Sequence, residues 1–443
     1  MESLKLNLKI KNLNYHYLVL LVVFLFPAFK WTQGGTALGQ KLMHLCVLFI
    51  YVPFFLMAAF NKNSFINSTF GDKNRKHIIQ SLFYFFSVSI YFVAVVFFIS
   101  PNPSVSDFSD FFRPFVYFLY FSIPLIFPIR QNEINKLFAF LLWSVLIQIL
   151  FSAFVYIKAL WPIVDVFKGR MSDDIIQYHF FRWSGTFVYP SDFSFFLSFF
   201  FYYLIYSLGQ SFSVGKKIKF TILIIFIFTA IFMTLSRGGL ASVLFISLLI
   251  YIFTSLKKSL FFNATIIIVF VSLFGAVVWA LSSSSFEKYN FDYIVAPFSK
   301  KGPDDSTKHR IIELELAEKY STKHFPFGVG GDRENLSKEV GVIESYYGNI
   351  LIRWGWFGLF INFIFLFYIL LIAFKLIKFE RSVENKSFFV AAFFTIASVP
   401  IIFGFSSAMS DRFKTLPFYY LLCGYVVSYY CGILTDDRKF KNE

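Results

Sequence analysis

Three arginines stand beside apolar stretches of the chain: Arg182 in FRWSGTFVYP, Arg237 in LSRGGL and Arg310 in KHRIIE. The guanidinium group presents a planar fork of donors that matches phosphate oxygens and stays charged at any relevant pH. Gly238 and Gly239 follow Arg237 at the predicted start of a helix, where unpaired amides and the helix dipole attract anions. These residue types favour the binding of a phosphate-containing ligand.

Each arginine also has an ordinary structural interpretation, which the sequence leaves open. Arg237 can lie at a membrane boundary with its guanidinium group among the lipid headgroups. Arg310 can pair with Glu313 on the same helix, and Arg182 can anchor its loop to lipid headgroups. The side of the membrane on which each arginine lies therefore matters.

The composition is that of a helical membrane protein. The 443 residues are 57% hydrophobic and only 15% charged, whereas a soluble protein carries roughly a quarter charged residues. Repeated apolar runs of about 20 residues are long enough to cross a bilayer. We predict an all-α, polytopic integral membrane protein in which residues 1–443 form a single transmembrane domain. Its surroundings are membrane lipids, and we expect no nucleic-acid partner, because the positive-inside rule explains much of the net charge of +15.

About twelve transmembrane helices are predicted, and the charges between them give their orientation. Their centres lie near residues 21, 50, 89, 120, 148, 199, 226, 247, 271, 366, 397 and 424. Connecting segments on the amino-terminal side carry lysine and arginine, whereas opposite short loops such as 101–110 hold acids and no lysine. The positive-inside rule then places both termini in the cytoplasm.

Two long loops, 161–190 and 283–345, lie on the predicted extracytoplasmic face, where Arg237 also emerges. The second loop contains STKHRIIELELAEKY, in which Ile312, Leu316 and Tyr320 recur at four-residue spacing. We predict an amphipathic helix there, with Asp304, Asp305 and Ser306 as capping residues. The three arginines would thus meet at one face of the membrane.

The same regions carry a set of short motifs in a fixed order. RWSGTFVYPSDFSFFL (182–197) reads Arg-x-x-Gly-x-Phe-x-x-Pro at a helix start, LSRGGL contains Ser-Arg-Gly, and FPFGVGG (325–331) precedes ESYYGNILIRWGWFGL (344–359). Together these stretches resemble the O-antigen ligase and polymerase superfamily of bacterial inner-membrane glycosyltransferases. Tyr347, Gly355 and Gly358 fall on the tyrosine and glycine positions of its closing signature. The first five predicted helices match in topology only.

Glu344 departs from this resemblance, because the superfamily's ligases carry a histidine at that position. Ligases move a finished polysaccharide to a lipid core, whereas polymerases join lipid-linked repeat units and tolerate other residues there. The departure favours a polymerase of O-antigen or capsule repeat units, with an O-antigen ligase as the alternative.

The resemblance implies a polyprenyl-pyrophosphate-linked oligosaccharide donor at the outer face of the cytoplasmic membrane. Its pyrophosphate leaves when an acceptor hydroxyl attacks the anomeric carbon. We expect Arg237, with Arg182 or Arg310, to bind the pyrophosphate and stabilise its developing charge. Glu344 is the candidate general base, although it could instead pair with Arg310 or Arg353.

Two further residues are candidate substrate contacts. Tyr347 could stack on a sugar ring or belong to the interfacial aromatic belt, and Asp332 is either a turn residue or an acceptor contact. No Asp-x-Asp or other metal-ligand cluster appears in the loops, so we expect metal-independent catalysis without a cofactor. A chain-length regulator protein would be a further partner of such a polymerase.

A flippase for lipid-linked oligosaccharides is an alternative of another class, since it often has twelve spans. Transporters tend to show internal repeats and charges at mid-membrane. Residues 1–220 and 221–443 show no convincing repeat, and the predicted spans are nearly free of charge. An integral membrane scaffold would leave the placement of the arginines unexplained.

Overall fold

The computed structural model describes residues 12–29, 36–60, 71–100, 103, 107, 111–168, 182–211, 213–254, 305–330, 343, 345–405 and 412–442. These residues contain thirteen α-helices and no β-strand. The helices of the first part of the chain are α1 (Asn12–Leu25), α2 (Thr36–Phe60), α3 (Gly71–Phe98), α4 (Arg113–Ile126), α5 (Ile134–Ala153) and α6 (Trp161–Lys168). The remaining helices are α7 (Pro190–Gln210), α8 (Val214–Met233), α9 (Arg237–Thr254), α10 (Asp305–Lys323), α11 (Tyr346–Phe379), α12 (Val383–Ile401) and α13 (Thr415–Asn442).

The prediction of a helical membrane protein is confirmed, whereas the count of twelve spans stays a prediction. Eleven of the twelve predicted centres lie in these helices, and the centre near residue 271 lies outside the described residues. Among the described residues, five helices are long and apolar enough to cross a membrane: Lys76–Phe98, Gln131–Tyr156, Pro190–Gln210, Tyr346–Phe379 and Val383–Phe405. The same part of the chain contains four shorter apolar helices, Leu13–Leu25, Leu38–Val52, Arg113–Ile126 and Arg237–Tyr251.

Helix α7 is the centre of the bundle. It is buried on nearly every side, as expected for a helix that is apolar all round. Helices α8, α9 and α12 pack directly against it. Phenylalanine rings fill the surrounding space: Phe196 lies 4.7 Å from Phe24 and 5.0 Å from Phe418, measured between ring centroids. The N-terminal ends of α7 and α9 are therefore fixed by a packed core.

The structure has a helix within residues 283–345, and its buried residues are not those of the predicted four-residue apolar spacing. Helix α10 begins at Asp305, among the predicted capping residues, and packs against α11. Ile312 is 48% exposed. The completely buried residues lie one position further along: Glu313, Ala317 and Ser321. The polar bonds of Glu313, described below, explain this rotation of the helix.

Candidate functional site

A tight turn between α8 and α9 determines the position of Arg237. We call residues 233–237 the arginine turn. Leu235 adopts a φ of 50°, which is uncommon for a residue other than glycine. Thr234 Oγ1 accepts a hydrogen bond from Ser236 N at 3.2 Å, and Ser236 Oγ accepts one from Gly239 N at 3.2 Å. Ser236 thus caps α9, and the half-buried Arg237 is its first residue.

Arg182 stabilises this turn from outside. Its Nε donates to Thr234 O and its Nη2 donates to Leu235 O, both at 2.9 Å. The neighbouring Trp183 N donates to Met233 O at 3.0 Å. The carbonyl groups at the end of a helix lack partners within that helix. Here Trp183 N supplies the donor for Met233 O, the last residue of α8, and Arg182 supplies donors for Thr234 O and Leu235 O in the turn that follows. Arg182 therefore contacts the turn that ends at Arg237, and direct contact of Arg182 with an anion stays a prediction.

The segment that carries Arg182 is itself held by polar groups of α5. Gly185 has a φ of 54°, and its N–H donates to Ser152 Oγ at 2.8 Å. Thr186 N donates to Gln148 Oε1 at 2.6 Å. A Cβ atom at position 185 would collide with Gln148 Oε1. The glycine of the Arg-x-x-Gly motif is thus required by a close approach of this segment to α5.

Two basic residues that the sequence analysis missed lie near this segment, between α12 and α13. Lys414 is completely buried, and its Nζ donates to Phe24 O at 2.8 Å and to Thr186 Oγ1 at 2.9 Å. No carboxylate pairs with it within the described part of the chain, and burial lowers the pKa of its ammonium group well below the usual lysine value. Arg412 lies over the Tyr189 ring, with Cζ 4.2 Å from the ring centroid.

The signal for these basic residues was present in the sequence. The connection between α12 and α13 is on the predicted outer face, where the short loop 101–110 has no lysine. Arg412 and Lys414 are exceptions to that charge pattern. A buried acid, Asp192 in the first turn of α7, was also not singled out.

A second group of site residues surrounds the start of α11. Glu313 on α10 is completely buried, and its Oε2 accepts a hydrogen bond from Ser345 N at 3.2 Å. Its Oε1 lies 3.7 Å from His309 Nε2. Ser345 Oγ caps α11 by accepting from Gly348 N at 3.0 Å. The half-buried Arg310 stands about one turn before Glu313, so this contact sets the position of Arg310 relative to α11.

Tyr347 links the start of α11 to the end of α12. Its hydroxyl donates a hydrogen bond to Pro400 O, and its ring lies 4.9 Å from the Phe405 ring. The short 3-10 helix Phe403–Phe405 also contacts α9, which begins with Arg237. Tyr347 therefore has a structural role in this arrangement, and its stacking on a sugar stays a prediction.

The glycine-rich stretch after α10 forms main-chain hydrogen bonds with α11 at a break in that helix. Gly355 leaves the helical conformation with φ 65° and ψ −166°. Two carbonyl groups before this break accept hydrogen bonds from the glycine-rich stretch instead of from their own helix. Val329 N donates to Ile352 O and Gly330 N donates to Arg353 O, both at 2.9 Å. We call residues 324–330, together with the break at Gly355, the glycine joint.

Close backbone approach explains the glycines of the joint. A Cβ atom on Gly355 would collide with Pro326 O, and one on Gly328 would lie 2.7 Å from Gly355 N. Phe357 N donates to Pro326 O at 3.1 Å, and the Tyr91 hydroxyl donates to Trp354 O at 2.6 Å. Residues 324–330 therefore join α10 to α11 through main-chain contacts.

The predicted site residues form two groups. Arg182 and Arg237 meet at the arginine turn, whereas Arg310 and Tyr347 lie near the start of α11. The 3-10 helix at 403–405 touches the helices of both groups. Glu344 and Asp332 lie outside the described residues, although the Glu313 carboxylate bonds to the peptide N–H that follows Glu344.

Comparison with known proteins identifies one family. Residues 222–363 match the model of the O-antigen ligase family. This range includes Arg237, Arg310, Tyr347 and the whole glycine joint, and it leaves out Arg182. No curated protein matches the chain significantly. The chain therefore carries an O-antigen ligase family domain at residues 222–363, consistent with its resemblance to the O-antigen ligase and polymerase superfamily.

Proposed function

We propose that the protein is a glycosyltransferase of the bacterial cytoplasmic membrane that joins oligosaccharide repeat units carried on polyprenyl pyrophosphate. The O-antigen ligase family consists of glycosyltransferase-like enzymes of the inner membrane, which supports this class of reaction. The observation that carries the proposal is the arginine turn, where Arg182 fixes the backbone and Arg237 begins α9.

The arginine turn suits the chemistry of a pyrophosphate leaving group. The acceptor hydroxyl oxygen forms a bond to the anomeric carbon, while the bond from that carbon to the pyrophosphate oxygen breaks. The electron pair of the broken bond leaves with the pyrophosphate. Arg237 and the positive end of the α9 dipole stabilise this negative charge, and because Arg182 holds the turn, little reorganisation is needed. The hydroxyl proton passes to a base, for which Glu344 is the candidate.

Helix α10 brings the second predicted pyrophosphate ligand, Arg310. Its position depends on the Glu313 carboxylate, which bonds to the start of α11. Arg310 would bind the donor pyrophosphate together with Arg237. Tyr347, held between α11 and α12, would then border the acceptor sugar.

Polymerisation is favoured over ligation by Glu344, which stands where the ligases of the superfamily carry histidine. A carboxylate can accept the proton of a sugar hydroxyl as a general base. The family description favours ligation as the second candidate, in which the acceptor is a lipid core.

Product length distinguishes the two reactions. The purified protein in lipid, with a metal chelator, is incubated with one polyprenyl-pyrophosphate-linked repeat unit, and the products are separated by length. A ladder of lipid-linked chains supports a metal-independent polymerase. Transfer that occurs only after a lipid core acceptor is added supports the ligase, and absence of transfer under both conditions contradicts both proposals.

A further inference from the structure

A third arginine lies at the same end of α7 as the arginine turn. Arg412 lies over the ring of Tyr189, and Tyr189 is the residue immediately before α7. Both residues are half-buried. Stacking on an aromatic ring uses the flat face of a guanidinium group, whereas phosphate oxygens bind at its edge. The Tyr189 ring can therefore orient Arg412 while the N–H groups of the Arg412 guanidinium contact an anion.

The first turns of α7 and α9 are in direct contact. A Cβ atom on Gly239 would lie 2.5 Å from Ser194 Oγ and 2.6 Å from Ser194 Cβ. Gly239 is the third residue of α9 and Ser194 is the fifth residue of α7. Arg237 and Tyr189 therefore flank the same contact, and the positive ends of both helix dipoles point to this region.

Lys414 fixes the segment that carries Arg412. Its buried Nζ bonds to Phe24 O and Thr186 Oγ1, so the start of α13 is tied to α1 and to the segment that follows Arg182. A buried polar contact of this kind is costly to break. Arg412, two residues before Lys414, is thereby held beside Tyr189.

We infer that Arg412 is a third phosphate-binding arginine of the site, oriented by Tyr189 and positioned through Lys414. This inference rests on the proposed function and adds a ligand-binding residue to it. The ligand class is a polyprenyl pyrophosphate, and Arg412 contacts the phosphate oxygens alongside Arg237.

Binding of the leaving group tests the inference separately from catalysis. The protein in nanodiscs of neutral lipid is titrated with sugar-free polyprenyl pyrophosphate and, separately, with the matching polyprenol. Arg412→Ala should weaken pyrophosphate binding by about 10- to 100-fold, because charge-assisted hydrogen bonds are lost. Polyprenol binding should not change. Lys158→Ala replaces an exposed lysine elsewhere and should leave both affinities unchanged.

Variants of Tyr189 test the orienting contact. Tyr189→Leu should weaken binding of polyprenyl pyrophosphate in the same direction as Arg412→Ala, whereas Tyr189→Phe keeps the aromatic face and should bind more tightly than Tyr189→Leu. Arg412→Lys keeps the charge and should recover only part of the affinity. Thermal unfolding of each variant checks that the fold is retained.

The outcomes separate the two claims. If the wild type binds polyprenyl pyrophosphate and Arg412→Ala binds it equally well, Arg412 is not a ligand and the proposed function stands. If the wild type binds neither polyprenyl pyrophosphate nor the lipid-linked repeat unit, both the inference and the proposed function are wrong. If Arg412→Ala loses polyprenol binding as well, the residue acts on the fold or the lipid tail and the inference fails.

Discussion

The arginine turn and the glycine joint both interrupt apolar helices, and each leaves main-chain groups that need partners inside the protein. At the arginine turn, the side chain of Arg182 supplies the donors. At the glycine joint, the main chain of one segment pairs with the main chain of another, and glycines make room for the approach. The first region therefore depends on a side chain that is present, and the second on side chains that are absent.

The difference also separates two tasks. The arginine turn leads directly into a charged residue, Arg237, at a helix start, which suits the binding of an anion. The glycine joint connects α10, with Arg310, to the broken helix α11. One region presents a candidate ligand, and the other positions Arg310 relative to Tyr347 within the second group of site residues.

The largest expected effect is from Gly355→Ala. The new methyl group would collide with Pro326 O in a left-handed conformation, so we expect a loss of about 2–5 kcal/mol in the free energy of unfolding. Thermal unfolding in detergent measures it. Gly215→Ala in α8 is the matched control, because no atom lies within 4 Å of a Cβ there. Equal stability of the two variants would contradict the steric account of the joint.

Arg182→Lys should have the next largest effect, although it keeps the charge. Lysine cannot reproduce the fork onto Thr234 O and Leu235 O, so we expect a loss of about 1.5–3 kcal/mol. If the same interaction energy is lost from the transition state, the rate of transfer falls roughly 10- to 100-fold. Arg381→Lys, at an exposed position between α11 and α12, serves as the control. Wild-type activity of the Arg182→Lys variant would show that charge alone is needed.

Glu313→Ala should destabilise the start of α11. The variant leaves Ser345 N without its carboxylate partner, at a cost of about 1–2 kcal/mol. Glu313→Gln keeps an acceptor oxygen and should recover most of the stability, whereas Glu315→Ala, on the exposed side of α10, should change little. Identical melting temperatures for Glu313→Ala and the wild type would show that Glu313 does not stabilise the start of α11.

Tyr347→Phe should have the smallest effect on stability. The variant loses one hydrogen bond to Pro400 O, worth about 0.5–1.5 kcal/mol. Tyr206→Phe in α7 is the control, since the Tyr206 hydroxyl has no hydrogen-bond partner among the described residues. Comparing the loss of thermal stability with the loss of transfer rate distinguishes a structural role of Tyr347 from a direct contact with substrate. Activity that falls much further than stability would indicate a direct contact with substrate.

The helices could be predicted from the sequence because long apolar runs dominate it. The buried face of α10 could not be predicted, because a pattern of apolar residues predicts that Glu313 is exposed. In the structure, the Glu313 carboxylate accepts a hydrogen bond from the start of another helix. The bond from Arg182 to the arginine turn joins residues more than fifty positions apart, and no local pattern indicates it. Lys414 was missed for a related reason, since its partners lie on α1 and beside Arg182.

The central claim is that Arg237, fixed by the arginine turn, binds the pyrophosphate of the donor. The most direct test is to compare the product ladders of the wild type, Arg237→Ala and Arg237→Lys, after thermal unfolding has shown that all three are folded. The account predicts that Arg237→Ala gives no ladder and that Arg237→Lys gives a slow one. A folded Arg237→Ala variant that builds the ladder at the wild-type rate would contradict it.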